Sequence, residues 1–109
     1  MKARKTTLPP TADNTLKILG ENIRLARKRR LLTAMLVARR AGIARSTLQL
    51  IEKGEASVAM SSYLHVLLIL GFEKDLLKVA ADDPIGRKLQ DAELLKALKF
   101  LSSTTVSHF

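Results

Sequence analysis

The chain has no cysteine and no tryptophan, and only two histidines, three prolines and five glycines in 109 residues. Without cysteine there is neither a disulfide framework nor a thiolate metal site, which is compatible with a reducing compartment. His65 and His108 are too far apart in sequence to suggest a site, and His65 reads as a structural or surface histidine. There is no glycine-rich phosphate loop, no nucleophile–histidine pair and no ligand spacing for a metal. Enzymatic activity is therefore not expected, and no cofactor or metal is assigned. No apolar run approaches membrane-spanning length, Val66 to Leu70 being far too short. Met1-Lys2-Ala3-Arg4-Lys5 has the charge of a signal peptide, but Thr6-Thr7 and Pro9-Pro10 follow it where an apolar region would be required. The expectation is a soluble bacterial cytoplasmic protein with no membrane partner.

What is present is basic charge, unevenly placed. The formal net charge is +9. Residues 1–60 hold 13 Lys/Arg against 4 Asp/Glu, and residues 61–109 hold 6 against 6, so the whole excess lies in the first part. Charge that serves solubility alone would not be confined in this way, whereas a phosphate-facing surface would. The length suits one domain with tails, whose small core gives modest stability unless a second subunit adds surface.

The basic half also holds the most informative stretch, Thr33 to Gly54. Val37, Ala38 and Ala41 fall at helical spacing, as do Leu48 and Ile51, with Ile43 filling the corner between them. Gly42 can take the left-handed conformation that ends the first helix, and the alanines let two helices cross closely. This is the spacing of a helix-turn-helix, whose second helix enters the major groove of DNA.

Leu32-Thr33, Val37-Ala38, Ala41-Gly42-Ile43, Arg45-Ser46-Thr47-Leu48 and Ile51-Glu52-Lys53-Gly54 resemble the signature of lambda-repressor-like (XRE-type) helix-turn-helix domains over about Leu16 to Phe72. Asp82-Asp83-Pro84-Ile85-Gly86-Arg87-Lys88-Leu89 is similar to the segment that follows this domain in HipB-like antitoxins. The resemblance implies an all-α fold: a five-helix domain with an extra C-terminal helix and tail. By residue match it turns Arg45, Ser46, Gln49 and Leu50 toward the groove, with Leu48 and Ile51 toward the core. Arg can pair with guanine, Gln with adenine, and Leu can meet a thymine methyl. Thr47 joins Ser46 as a phosphate or weak base contact, and Arg39, Arg40, Lys53, Lys28, Arg29 and Arg30 are backbone-contact candidates. The resemblance assigns Arg27 to a structural ion pair with Glu52. Three departures stand out: Ala34 replaces the usual Gln, Leu36 replaces the capping-box acid, and Ala44 replaces a Ser or Thr cap.

Around this stretch the expectations run in chain order. Residues 1–14 form a basic arm in which Pro9-Pro10 forbid a helix, and Lys2, Arg4 and Lys5 either follow DNA or simply lie in a disordered terminus. The first helix covers Thr15 to Arg30, capped by Asp13, Asn14 or Thr15, with Leu16, Leu19, Ile23 and Ala26 inward. The helix-turn-helix domain spans residues 15–81. Its second helix, about Thr33 to Ala41, shows an apolar surface at Ala34, Met35 and Leu36, either plain exterior or a protein contact. Its fourth, Met60 to Leu70, turns Met60, Tyr63, Leu64, Leu67 and Leu70 inward and is apolar nearly all round, so it needs cover on both sides. Its fifth, Glu73 to Ala81, buries Phe72, Leu76, Leu77 and Ala80. Residues 82–109 supply an amphipathic helix from Ile85 to Leu101, then a polar tail that frays or forms a short strand.

Taken together, these features imply a sequence-specific repressor, homodimeric on double-stranded DNA at a palindromic operator and nucleoid-associated when bound. Within that class they suggest a HipB-like antitoxin that autoregulates its operon and binds a HipA-like kinase toxin. The alternatives are a stand-alone or prophage regulator without a toxin, and a protein-binding adaptor that has lost specific DNA recognition.

Overall fold

The computed structural model describes residues 7–104 and is all-helical, with no strand among them. Four α-helices, α1 (Pro10–Arg29), α2 (Ala34–Ala41), α3 (Arg45–Glu52) and α4 (Met60–Leu70), are followed by a 3₁₀ segment (Glu73–Lys78) and α5 (Pro84–Thr104). The chain divides into two compact units, Met1–Leu76 and Leu77–Phe109, ahead of the expected boundary at 81/82.

Pro9-Pro10 start a helix here and do not prevent one. Pro10 occupies the first helical position, where the missing N–H has no intrahelical acceptor to lose and the fixed φ already suits the helix. The expected cap residues Asp13, Asn14 and Thr15 therefore lie inside α1, and Lys17 pairs with Asp13 one turn earlier. Pro84 repeats the arrangement in α5, with the Asp83 carboxylate accepting from Gly86 N at 2.9 Å. Lys2, Arg4 and Lys5 fall outside the described residues.

The first unit is built from helices stopped in one way. After α1, α2, α3 and α4 the chain passes through a left-handed residue: Leu31, Gly42, Gly54 and Gly71. In each case two backbone N–H groups turn back to the last carbonyls, as Ile43 N does to Ala38 O at 3.0 Å and Phe72 N to Leu67 O at 2.7 Å. Such stops satisfy carbonyls that would otherwise be orphaned. Glycine takes the positive φ without strain at three of them, while Leu31 holds φ +57° with a side chain 91% exposed.

The core of this unit gathers Ile23 and Ala26 of α1, Val37, Ala38 and Ala41 of α2, Leu48 and Ile51 of α3, and Tyr63, Val66, Leu67 and Leu70 of α4. Leu16, Ile43, Val58, Phe72 and Leu76 pack around it. Several expected core residues stay outside. Leu19, Met60 and Leu64 are exposed, and Val66 takes the inner place on α4. Leu77 is 75% exposed and Ala80 is exposed too, because the chain coils as a short 3₁₀ helix that ends at Lys78 and presents Phe72 and Leu76 alone to the core. Tyr63 donates its hydroxyl to Glu55 O at 2.7 Å, tying α4 to the loop after α3.

In the second unit α5 runs further than expected, taking in residues 102–104 of the anticipated tail. The proposed strand falls on residues 105–109, outside the described residues. None of the described side chains of α5 is buried. Of the stripe expected through Leu89, Leu94, Leu95, Leu98 and Leu101, the last four fall within about a third of the helix circumference, whereas Leu89 lies on the other side.

Two outcomes test this packing. Burial, and to a lesser degree the charge of Glu55, push the Tyr63 hydroxyl up to about 12 from its ordinary 10.0. A raised folded-state pKa contributes stability below about pH 10 that is lost as pH climbs toward 12. Urea denaturation of wild type and Tyr63→Phe across that window should show the wild type losing more stability than the variant. The second outcome concerns Gly20: a Cβ there would sit 2.6 Å from Gly54 N and 2.6 Å from Ile51 O, both backbone atoms. Gly20→Ala should cost about 1–3 kcal/mol of unfolding free energy in the same assay.

Candidate nucleic-acid interface

The candidate interface is built on α3, a helix of eight residues whose position is fixed from behind. Leu48 and Ile51 are fully buried, which commits one side of the helix to the core. With 3.6 residues per turn, Arg45, Gln49 and Lys53 then share the opposite arc with Ser46 and Leu50. All five are exposed, Leu50 by 39%. Thr47 sits at the margin, half-buried.

Two contacts with α1 hold the C-terminal end of α3. The first is a fork-to-fork pair: Arg27 Nε donates to Glu52 Oε2 at 2.7 Å and Nη2 to Glu52 Oε1 at 3.0 Å. Arg27 Nη1 also donates to Leu32 O at 3.0 Å, so one guanidinium joins α1, the turn into α2, and α3. Both side chains are largely enclosed, at 12% and 9% exposure. The hydrogen bond to Glu52, more than its charge, raises the Arg27 pKa further above its ordinary value. Arg27 and Glu52 thus serve one another, leaving neither as a contact for an outside ligand. The second contact is backbone against backbone, where Gly20 and Gly54 meet with no room for a Cβ on either; one on Gly54 would lie 2.5 Å from Lys17 Cα. Sequence reasoning missed this pair; the legible signal was two glycines at positions that need no turn in one case and a left-handed residue in the other.

The N-terminal end of α3 is held less. Ala44 occupies the cap position with extended φ and ψ but offers no side-chain acceptor. By contrast, Thr33 caps α2 by accepting from Leu36 N at 3.1 Å. Leu36 in place of an acid thus leaves the Thr33 cap intact but unreciprocated.

Exposed cations also stand at the helix ends. Lys28 and Arg29 at the end of α1, Arg39 and Arg40 at the end of α2, Arg45 at the start of α3 and Lys53 just after it are all exposed. Among the described residues none of the six forms an ion pair. Arg39 does reach Met35 Sδ at 3.9 Å. Arg30 is different from its neighbours: it donates to Ala26 O at 3.0 Å and lies 5.0 Å from the centre of the Phe72 ring. A cation in that position fastens the end of α1 to the chain after α4, which restrains its use toward phosphate. Positive charge at helix C-termini is favoured by the dipole, and this accounts for part of the clustering at α1 and α2.

Gln49 has a second neighbourhood. With Lys17, Glu21 and Arg24 of α1 and Glu52, Lys53 and Glu55 it lines an open, mixed-charge depression beside α3. Its side chain therefore lies on the edge of the arc nearest α1. Among the described residues no group of three His, Asp or Glu side chains could hold a metal ion. No described helix is long and apolar enough to cross a membrane. His65 is exposed on α4, and His108 lies outside the described residues.

The uncapped end of α3 yields a direct test. Ala44→Ser restores an acceptor at a position whose backbone already has cap geometry, so stability should rise by about 1 kcal/mol, read as a higher midpoint in chemical denaturation. No protein-family model matches the chain, and no curated protein or solved structure matches it either.

Proposed function

We propose that the chain is a sequence-specific DNA-binding repressor of the lambda-repressor-like helix-turn-helix kind, acting as a homodimer. The observation that carries this reading is the outer arc of α3. A short helix, anchored by Leu48 and Ile51 and braced by the Arg27–Glu52 pair, exposes Arg45, Ser46, Gln49 and Leu50, and five further cations at the ends of α1, α2 and α3 are exposed without ion-pair partners. That division of labour suits DNA, where phosphate contacts position a protein and a few side chains at base edges select the sequence. Two such helices about 34 Å apart would lie in successive major grooves of a palindromic site. Arg45 then reads guanine, Leu50 meets a thymine methyl, and Gln49 reads adenine from the edge nearest α1. Lys28, Arg29, Arg39, Arg40 and Lys53 supply most of the affinity and its salt dependence.

Within this class a HipB-like antitoxin remains our preferred assignment, on the resemblance of Asp82 to Leu89 and on the apolar side chains left open at Met35, Leu64 and Leu68. Its expected partner is a HipA-like kinase toxin encoded beside it. A regulator without a toxin has the same DNA chemistry and differs only in gene neighbourhood. The adaptor alternative draws on Ala34 and Ala44, each of which removes a polar group that could reach phosphate.

Anisotropy titration of DNA from immediately upstream of the gene against a scrambled duplex, at two salt concentrations, separates these possibilities. A repressor binds the native duplex tightly, with affinity falling steeply as salt rises, whereas equal weak binding to both duplexes favours the adaptor. Arg45→Ala should cost about 1–3 kcal/mol of operator binding and relax the preference at one base step. Unchanged binding would move the groove-facing arc elsewhere on α3.

A further inference from the structure

We infer that Met35 is an oxidation site through which peroxide weakens the grip of α2 on phosphate. The inference rests on the DNA-binding reading and specifies a control on one of its backbone contacts. The only charged side chains within α2 are Arg39 and Arg40, since Ala34 stands first and the Thr33 hydroxyl is already committed to Leu36 N at 3.1 Å. Arg39 has a neighbour of its own: its Nη2 lies 3.9 Å from the Met35 thioether sulfur, one helical turn back. Met35 is 53% exposed, so peroxide in solution can reach it. Arg40 has Leu36 one turn back, which carries no acceptor.

A thioether is a weak acceptor, and at 3.9 Å it leaves the guanidinium free to turn toward a phosphate. Peroxide changes that. A sulfur lone pair attacks one oxygen of hydrogen peroxide, the O–O bond breaks, and the departing hydroxide takes up the remaining proton to become water. The sulfur gains an oxygen and is oxidised to the sulfoxide, and the peroxide is reduced by the same electron pair. The 3.9 Å gap admits that oxygen between sulfur and Nη2, where the polar S–O group accepts a charge-assisted hydrogen bond. Arg39 is then held along its own helix and withdrawn from the cations that meet phosphate. The chain has no cysteine, so no thiol of its own intercepts the oxidant. Methionine sulfoxide is reduced enzymatically, so the change is reversible.

The full chain treated with hydrogen peroxide should carry an added oxygen in the tryptic peptide Leu31 to Arg39, read by mass spectrometry. Its anisotropy titration against the upstream duplex should then give a slope of log affinity against log salt that is shallower by about 1, the value of one phosphate contact. Methionine sulfoxide reductase with a thiol reductant should restore the slope. Met35→Leu should abolish the response, and Met60→Leu, at a methionine 72% exposed on α4, should keep it. In Arg39→Ala peroxide should change nothing further. The Arg39 Nε–H resonance should shift on oxidation in the wild type and stay in place in Met35→Leu, which reads the capture without DNA. Met35 left unoxidised while Met60 is converted, an unchanged slope with Met35 oxidised, or a response that survives Met35→Leu or Arg39→Ala would each overturn the inference and leave the repressor reading standing. Equal binding to upstream and scrambled duplexes, with a slope that answers to peroxide, would keep the Met35 site and overturn sequence-specific repression. Binding to neither duplex would overturn both.

Discussion

The contact between α1 and the end of α3 governs the rest of the first unit. Gly20 and Gly54 allow the two backbones to touch, and the Arg27–Glu52 fork closes the same junction with two hydrogen bonds at 2.7 and 3.0 Å. A buried pair of this kind contributes little net stability, because desolvation offsets most of the attraction, but removing one partner leaves a charge stranded. Its main effect is to fix orientation. With Glu52 held on α1, rotation of α3 about its axis would drag Leu48 and Ile51 from the core. The arc from Arg45 to Lys53 is therefore presented at a set angle to α1.

Much of this was legible in the sequence because it depends on local chemistry. Helical spacing located α2, α3 and α4 to within a residue or two, Gly42 marked its turn, and Thr33 marked its cap. The start of α1 was misread because proline was treated as a breaker, when its effect depends on whether it falls inside a helix or at its first position. The inner face of α4 was misread for another reason. A helix apolar nearly all round has no periodic signal to orient it, so Met60 and Leu64 could not be told from Val66 without knowing where α1 and α2 lie. The 3₁₀ segment failed similarly, since Leu77 and Ala80 fit a helical stripe that the chain abandons at Lys78. For the site, exposure along α3 follows from period alone. The engagement of Arg30 with Phe72 does not, because it joins residues far apart in sequence.

Leu31 shows how a local rule can be broken without breaking the architecture. It uses the same left-handed stop as the three glycines, at some conformational cost, and exposes a leucine between Arg30 and Leu32. The two hydrogen bonds of the stop, Leu31 N to Lys28 O and Leu32 N to Arg27 O, are nevertheless made. Arg27 Nη1 on Leu32 O adds a third restraint to the same turn. The strain is held in place by the residue that also anchors α3.

The order of the two units along the chain has a consequence for synthesis. The buried core ends with Leu70, and the side chains packed around it end at Leu76. At ~5–20 residues per second, α5 takes on the order of seconds to follow, far longer than a small helical unit needs to fold. The exposed side of α3 is thus set entirely by residues that precede α5 in the chain.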